Sequence, residues 1–118
     1  MLKVNTKKLG AVTVLTVEGQ IITGDTDTLR GALQSVSETS DIMLDLSNVT
    51  VVDAHGLGVL LQLRERAVSR GVHFELTNVS KPLSRILEIT RLNTVFDINP
   101  RVGFFPARAH AQRVPVAA

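Results

Sequence analysis

The sequence predicts an α/β domain with a mixed, mainly parallel five-stranded sheet, an N-terminal antiparallel hairpin and three or more helices. Segments that favour strands alternate with segments of helical periodicity, in the order β–β–α–β–α–β–α–β. The 118 residues suffice for one domain with its own hydrophobic core. The chain has no cysteine, which excludes disulfides, thiol catalysis and cysteine-ligated metal clusters.

The first two segments predict the hairpin. Residues 2–6 alternate between apolar or β-branched and polar side chains, as in a half-exposed edge strand. Residues 12–18 are rich in β-branched residues and form the second predicted strand. Gly10 lies between them and suits the positive φ of a tight turn.

The next segments predict the first helix and the third strand. Asp25 is the expected N-cap of the helix, which buries a stripe at helical spacing. That stripe consists of Leu29, Ala32, Leu33 and Val36. Residues 42–46 form the following strand, and residues 47–50 (Ser-Asn-Val-Thr) lead from it into the segment that begins at Val51.

The second half repeats the alternation of helix and strand. An amphipathic helix capped by Asp53 runs to Arg70 and stops at Gly71. Residues 72–76 form a strand whose polar members, His73 and Glu75, are expected on a wet face. A third helix is capped by Ser80, and residues 95–98 make a short last strand.

Charge and composition set the domain boundary and the expected compartment. All 11 acidic residues lie between positions 18 and 97, and the last 18 residues carry three arginines, so the net charge of +2 leaves −1 for residues 1–100. We therefore expect a domain over residues 1–98 and a basic, Pro/Ala-containing tail over 99–118.

Four phenylalanines are the only aromatic residues, which argues against a nucleic-acid partner. Without a membrane span or secretory signal in the sequence, the expected location is the cytoplasm.

Searches for catalytic and cofactor motifs find none that is complete. No Gly-Lys-Ser/Thr turn is present, and Leu61 occupies the third glycine position of a dinucleotide fingerprint. The spacing of the three histidines does not predict that they converge on a metal. We expect no enzymatic activity, no cofactor and no metal site.

Residues 42–61 (IMLDLSNVTVVDAHGLGVLL) carry the most specific pattern in the chain. The segment resembles the motif of the STAS domain, which is shared by sulphate transporters and anti-sigma factor antagonists. Asp-Leu-Ser at 45–47, Asp53 and Gly-Leu-Gly at 56–58 match that motif. The resemblance extends over about residues 2–98 and implies the STAS fold and a protein-interaction switch in bacterial signal transduction and transcription regulation.

The resemblance also implies a partner and a mode of regulation. Soluble family members dock on an anti-sigma factor, usually a serine kinase of the histidine-kinase-type ATPase fold, which then phosphorylates the second serine of an Asp-Ser-Ser-Gly turn. Here Ala54 and His55 replace the two serines, and His55 occupies the phosphoacceptor position. The protein is then a constitutive antagonist, a scaffold among related STAS signalling proteins, or a protein regulated at Thr50 or Ser47.

The expected partner surface is Asp53, Ala54, His55, Gly56, Leu57 and Gly58, with Asp25 beside it. Leu57 is its expected exposed apolar contact. The adjacent Phe104 and Phe105 in the tail predict packing onto the fold or across a homodimer. Two alternatives stay open: a STAS subunit of a membrane transport complex, and a nucleotide- or small-ligand-binding module that uses the helix N-terminus.

Overall fold

The computed structural model describes residues 1–36 and 38–99. Its strands are β1 (Leu2–Leu9), β2 (Val12–Ile21), β3 (Asp41–Val52), β4 (His73–Thr77) and β5 (Asp97–Asn99). Its helices are α1 (Asp27–Gln34), α2 (Ala54–Ser69), α3 (Lys81–Ile89) and a 3-10 helix (Leu92–Thr94). The strands lie in the order β1-β2-β3-β4-β5; β1 and β2 are antiparallel and the other pairs are parallel. The predicted fold class is confirmed.

One face of the sheet carries the hydrophobic core. Leu15, Leu44 and Leu76 are register partners on β2, β3 and β4, and all three are fully buried. They belong to the same apolar cluster as Leu60 and Leu63 of α2. The core therefore joins α2 to the central strands and fixes where its first turn lies.

Several predicted turns and helix ends are confirmed. Gly10 has a φ of 63° in the hairpin turn, and Gly71 has a φ of 76° after α2. Ser80 caps α3 by accepting a hydrogen bond from the Leu83 amide at 3.3 Å, and a proline follows in the first turn.

The predicted end of the third strand at residue 46 is wrong, because β3 continues through residues 47–50 to Val52. β2 also continues past its predicted end, and the two strands pair as far as Ile21 and Val52. The register shifts between Thr16 and Glu18, and the Ser47 amide donates to Asp45 Oδ1 at 3.0 Å. Ser47 thus lies at an irregularity in the ladder, and β3 resumes its pairing with β2 at Asn48.

The start of α1 also differs from its prediction. The N-cap position is Thr26, which makes no side-chain capping bond, and the Asp25 carboxylate lies 3.2 Å from the Met1 amino group. Of the predicted stripe only Leu29 is fully buried, and Val36 lies beyond the helix. The short helix is held mainly by packing on its neighbours, since its cap contributes little.

The last predicted strand is shifted. Val95 and Phe96 follow the 3-10 helix, and β5 begins at Asp97 and includes Asn99. Phe96 is buried in the core, so its apolar character reflects packing rather than strand pairing. The tail predictions for residues 100–118, including Phe104 and Phe105, lie outside the described residues. Within the described ranges, no helix is long and apolar enough to span a membrane.

Candidate functional site

The 53–58 turn lies where the chain leaves the carboxyl end of β3 and enters α2. Asp53 has extended backbone angles, and its Oδ1 accepts a hydrogen bond from the Gly56 amide at 2.8 Å. This is the geometry of a helix N-cap, so the predicted capping role of Asp53 is confirmed.

The other carboxylate oxygen of Asp53 binds the loop that follows β2. Asp53 Oδ2 accepts hydrogen bonds from the Thr23 amide at 3.0 Å and from the Thr23 hydroxyl at 3.1 Å. The Thr23 amide and then the Gly56 amide lower the pKa of Asp53 below its usual value, because both donate to the charged form. One carboxylate therefore ties two loops together at the same edge of the sheet.

The role of Thr23 was not predicted from the sequence. The available signal was topological: β2 and β3 are parallel neighbours, so the loops after them emerge at one edge.

The turn exposes only part of its predicted surface. Ala54 and His55 are exposed, Gly58 is half-buried, and Gly56 and Leu57 are buried. The prediction that Leu57 is the exposed apolar contact is wrong, because its side chain is only 9% exposed. Leu57 begins the buried face of α2 and is followed at helical spacing by Leu60 and Leu63.

Gly56 packs directly against β2. A Cβ atom at this position would lie 2.0 Å from the Ile21 carbonyl oxygen, and the same oxygen accepts a hydrogen bond from the Asp53 amide. In contrast, a Cβ atom on Gly58 would meet nothing within 4 Å. The first glycine is needed for close approach of the backbones, and the second is not.

A shallow groove of about 150 Å³ adjoins the turn. It is lined by Val49, Thr50, Val51, Val52, Ser80, Pro82, Leu83 and Ile86. Val51 is 46% exposed and precedes Asp53 by two residues, so it supplies an exposed apolar side chain close to the turn. The sequence prediction ended the strand at residue 46 and did not show this feature, which the extension of β3 to Val52 reveals.

The remaining predicted residues lie around the turn rather than in it. Asp25 is half-buried in the loop that also contains Thr23, and its amide donates to the Ile22 carbonyl at 3.0 Å. Thr50 and Ser47 are exposed on β3. The Thr50 hydroxyl donates to the Gly19 carbonyl at 3.2 Å, so this hydroxyl already has a partner.

A second group of charged residues lies at the opposite end of the sheet. The His73 ring contacts the carboxylates of Asp41 and Glu75 through Nδ1 and that of Asp97 through Nε2. His73 is exposed as predicted, but the expectation of a wet face for Glu75 is wrong, because Glu75 is buried. The strands bring together side chains that are far apart in the sequence.

Burial and neighbouring charges shift the pKa values of both Glu75 and His73. Burial, followed by the nearby Asp41 carboxylate, raises the pKa of Glu75 to about 7. Burial disfavours charged His73, but the hydrogen bond to Asp97 and the surrounding carboxylates outweigh it and raise the pKa of His73. Both groups therefore hold a proton to higher pH than they would in solvent.

The comparisons with known proteins agree with this fold. A family model described as "STAS domain" matches residues 3–105. A STAS-domain containing protein of Pseudomonas aeruginosa is 30% identical over 91 residues, which are 76% of this chain and 90% of that protein. The anti-sigma-B factor antagonist of Bacillus subtilis is 29% identical over 86 residues, 72% of this chain and 79% of the relative.

Solved structures share this fold, and two of them illustrate the similarity. An anti-sigma factor antagonist from Mycobacterium paratuberculosis superposes with a TM-score of 0.77 at 21% identity, covering 86% of this chain and 88% of that one. A sulfate transporter family protein from Wolinella succinogenes gives a TM-score of 0.64 at 27% identity, with coverage of 76% and 78%.

Proposed function

Because this chain belongs to the STAS domain family, we propose that it is a cytoplasmic protein-interaction module that acts as an anti-sigma factor antagonist. The anti-sigma-B factor antagonist of B. subtilis, at 29% identity, supports this role. The observation that carries the proposal is the 53–58 turn. Its cap and its glycine contact hold the backbone rigidly, while Ala54 and His55 face solvent.

The docking surface combines this turn with the groove beside it. Ala54 and His55 form its solvent-exposed edge, and Val51 with the α3 side of the groove forms its apolar part. Val51 takes the place of Leu57 as the apolar contact. A rigid turn next to an exposed apolar side chain favours binding, because little conformational entropy is lost on docking.

The partner that suits this surface is an anti-sigma factor, a serine kinase of the histidine-kinase-type ATPase fold, or a related STAS signalling protein. His55 has no hydroxyl for such a kinase to phosphorylate, so the usual negative charge at the start of α2 cannot be added by serine phosphorylation. We therefore infer a constitutive antagonist or scaffold. Of the two alternative phosphorylation sites, Thr50 is less favoured than Ser47, because the Thr50 hydroxyl donates a hydrogen bond to the Gly19 carbonyl.

The test is capture of partners from native cytosol by the tagged full-length protein, followed by mass spectrometry. We expect an ATPase-fold anti-sigma factor to bind the native chain. Val51→Glu and His55→Asp should abolish capture, because each places negative charge on the docking surface.

The matched control is Ile89→Glu. Ile89 is an apolar residue at the end of α3 with 75% exposure, outside the lining of the groove. The Ile89→Glu variant should capture the same partner as the native chain. Equal capture by all three variants would contradict the proposed surface.

A second candidate function is a subunit of a membrane transport complex. The similarity to the sulfate transporter family protein of W. succinogenes favours it, since the identity is 27% over most of both chains. Recovery of transporter subunits in place of an anti-sigma factor would select this function.

A further inference from the structure

Four ionisable residues meet on one face of the sheet, at the amino ends of three neighbouring strands. Asp41, His73 and Asp97 are the first residues of β3, β4 and β5, and Glu75 follows His73 by two positions. The register pairs Asp41 with His73 and Glu75 with Asp97, so all four occupy one face. The parallel strands place this group at the opposite end of the sheet from the 53–58 turn.

The contacts are slightly shorter than the separations between the ligand atoms of a bound metal ion. His73 Nδ1 lies 3.2 Å from Asp41 Oδ1 and 3.1 Å from Glu75 Oε2. Ligand atoms bound tetrahedrally at about 2.0–2.2 Å from a zinc ion are separated by about 3.3–3.6 Å. The three candidate ligand atoms lie within 4.8 Å of one another, so small side-chain movements would complete the site.

The second observation is an unsatisfied oxygen. The Glu75 side chain is only 9% exposed, and its Oε1 is buried without a hydrogen-bond partner. Leaving a buried carboxylate oxygen unpaired costs free energy. The ion pairs that Asp41, Glu75 and Asp97 make with His73 leave Glu75 Oε1 without a hydrogen-bond partner, and a cation held by both oxygens of Glu75 would supply one.

Asp97 supplies the outer-sphere contact that metal-bound histidines commonly have. His73 Nε2 lies 2.6 Å from Asp97 Oδ2. When Nε2 carries the hydrogen and donates it to Asp97, the lone pair of Nδ1 faces Asp41 and Glu75. The half-exposed ring leaves one side open to solvent, through which an ion can enter and a water can complete its coordination.

We propose that Asp41, His73 and Glu75 bind a divalent transition-metal ion, with Asp97 as the positioning residue for the imidazole. One imidazole nitrogen and two carboxylates form a mixed donor set, which suits zinc and its neighbours better than magnesium or calcium. The ion would link the amino ends of β3 and β4 directly and that of β5 through Asp97. This site lies apart from the proposed docking surface.

The experiment is isothermal titration of the full-length, chelator-treated protein with ZnCl₂. We expect one ion per chain. His73→Gln and Asp41→Asn should weaken binding more than Asp97→Asn, for which loss of the outer-sphere carboxylate predicts a drop of about 10–100-fold. Asp97→Glu should restore part of the affinity, and unchanged thermal unfolding of metal-free Asp97→Asn would separate positioning from a general structural effect.

Two controls make the result decisive. Asp27→Asn removes an exposed carboxylate on α1, and His110→Ala removes the histidine near the C-terminus; both should keep native affinity. Co²⁺ absorption of the native protein gives a measurement that depends on no variant and should show bands of low-symmetry coordination. Absence of binding at millimolar zinc, equal affinity in His73→Gln, or loss of binding only in His110→Ala would overturn the proposal.

Discussion

Asp53 and Thr23 are joined by two hydrogen bonds, one from the Thr23 amide and one from its hydroxyl, at 3.0 and 3.1 Å. Asp53 simultaneously caps α2 through the Gly56 amide. The residue that begins the helix thus also holds the loop after β2 in place. The backbone of the proposed docking surface depends on this single carboxylate.

The first prediction concerns acid stability. The pKa of Asp53 is lowered in the folded state by the Thr23 and Gly56 amides, so ionisation of this carboxylate stabilises the fold above its unfolded pKa of about 3.8. That contribution is lost as the pH falls through the lower folded pKa. Asp53→Asn should therefore be less stable than the native chain near pH 6, and the difference should shrink below about pH 3. Urea unfolding at both pH values measures it, and a difference independent of pH would contradict the assignment.

The second prediction compares two glycines of one turn. Gly56→Ala places a Cβ against the Ile21 backbone, which cannot move aside, and should lower the free energy of unfolding by at least about 1–3 kcal/mol. Gly58→Ala enters open space within a helix and should raise it by about 0.5–1 kcal/mol. Chemical denaturation measures both. Similar changes in the two variants would show that the contact between α2 and β2 is not tight.

The third prediction separates stability from binding. Leu57→Ala should lower the free energy of unfolding by about 2–5 kcal/mol, because the side chain belongs to the buried face of α2. His55→Ala, two positions earlier and exposed, should change it by less than about 0.5 kcal/mol. An unfolding midpoint of Leu57→Ala equal to that of the native chain would contradict the burial of Leu57. Loss of partner binding in a Leu57 variant is thus no evidence of direct contact.

The fourth prediction concerns phosphorylation. Incubation with the captured kinase and ATP should add no phosphate at residue 55 of the native chain, whereas His55→Ser should accept one, because the helix start accommodates a phosphate. Intact-mass and fragment analysis measures the modification, with His55→Ala as the unmodified control. Phosphate mapped to Thr50 or Ser47 of the native chain would instead indicate regulation on β3.

Local signals predicted the elements whose ends are set within a few residues. Asp53 and Ser80 are found at helix starts because each side chain accepts a hydrogen bond from an amide three residues ahead. The same reasoning failed at residues 47–50, since Ser47 and Asn48 favour turns locally but β3 resumes its pairing with β2 at Asn48. Glu75 was misplaced for a related reason: alternation assigns a face but does not determine how well that face is covered.

The order of strands and helices, the amphipathic character of α2, the cap at Asp53 and the absence of a hydroxyl at residue 55 could all be predicted from the amino-acid sequence. These depend on contacts within about one turn of helix or on residue identity alone. Four relationships became visible in the folded chain: Leu57 is buried, Thr23 binds Asp53, Val51 is exposed beside the turn, and Asp41, Glu75 and Asp97 surround His73. Those relationships join residues that are distant along the chain or depend on how helices and strands cover one another, and strand register and helix packing determine them.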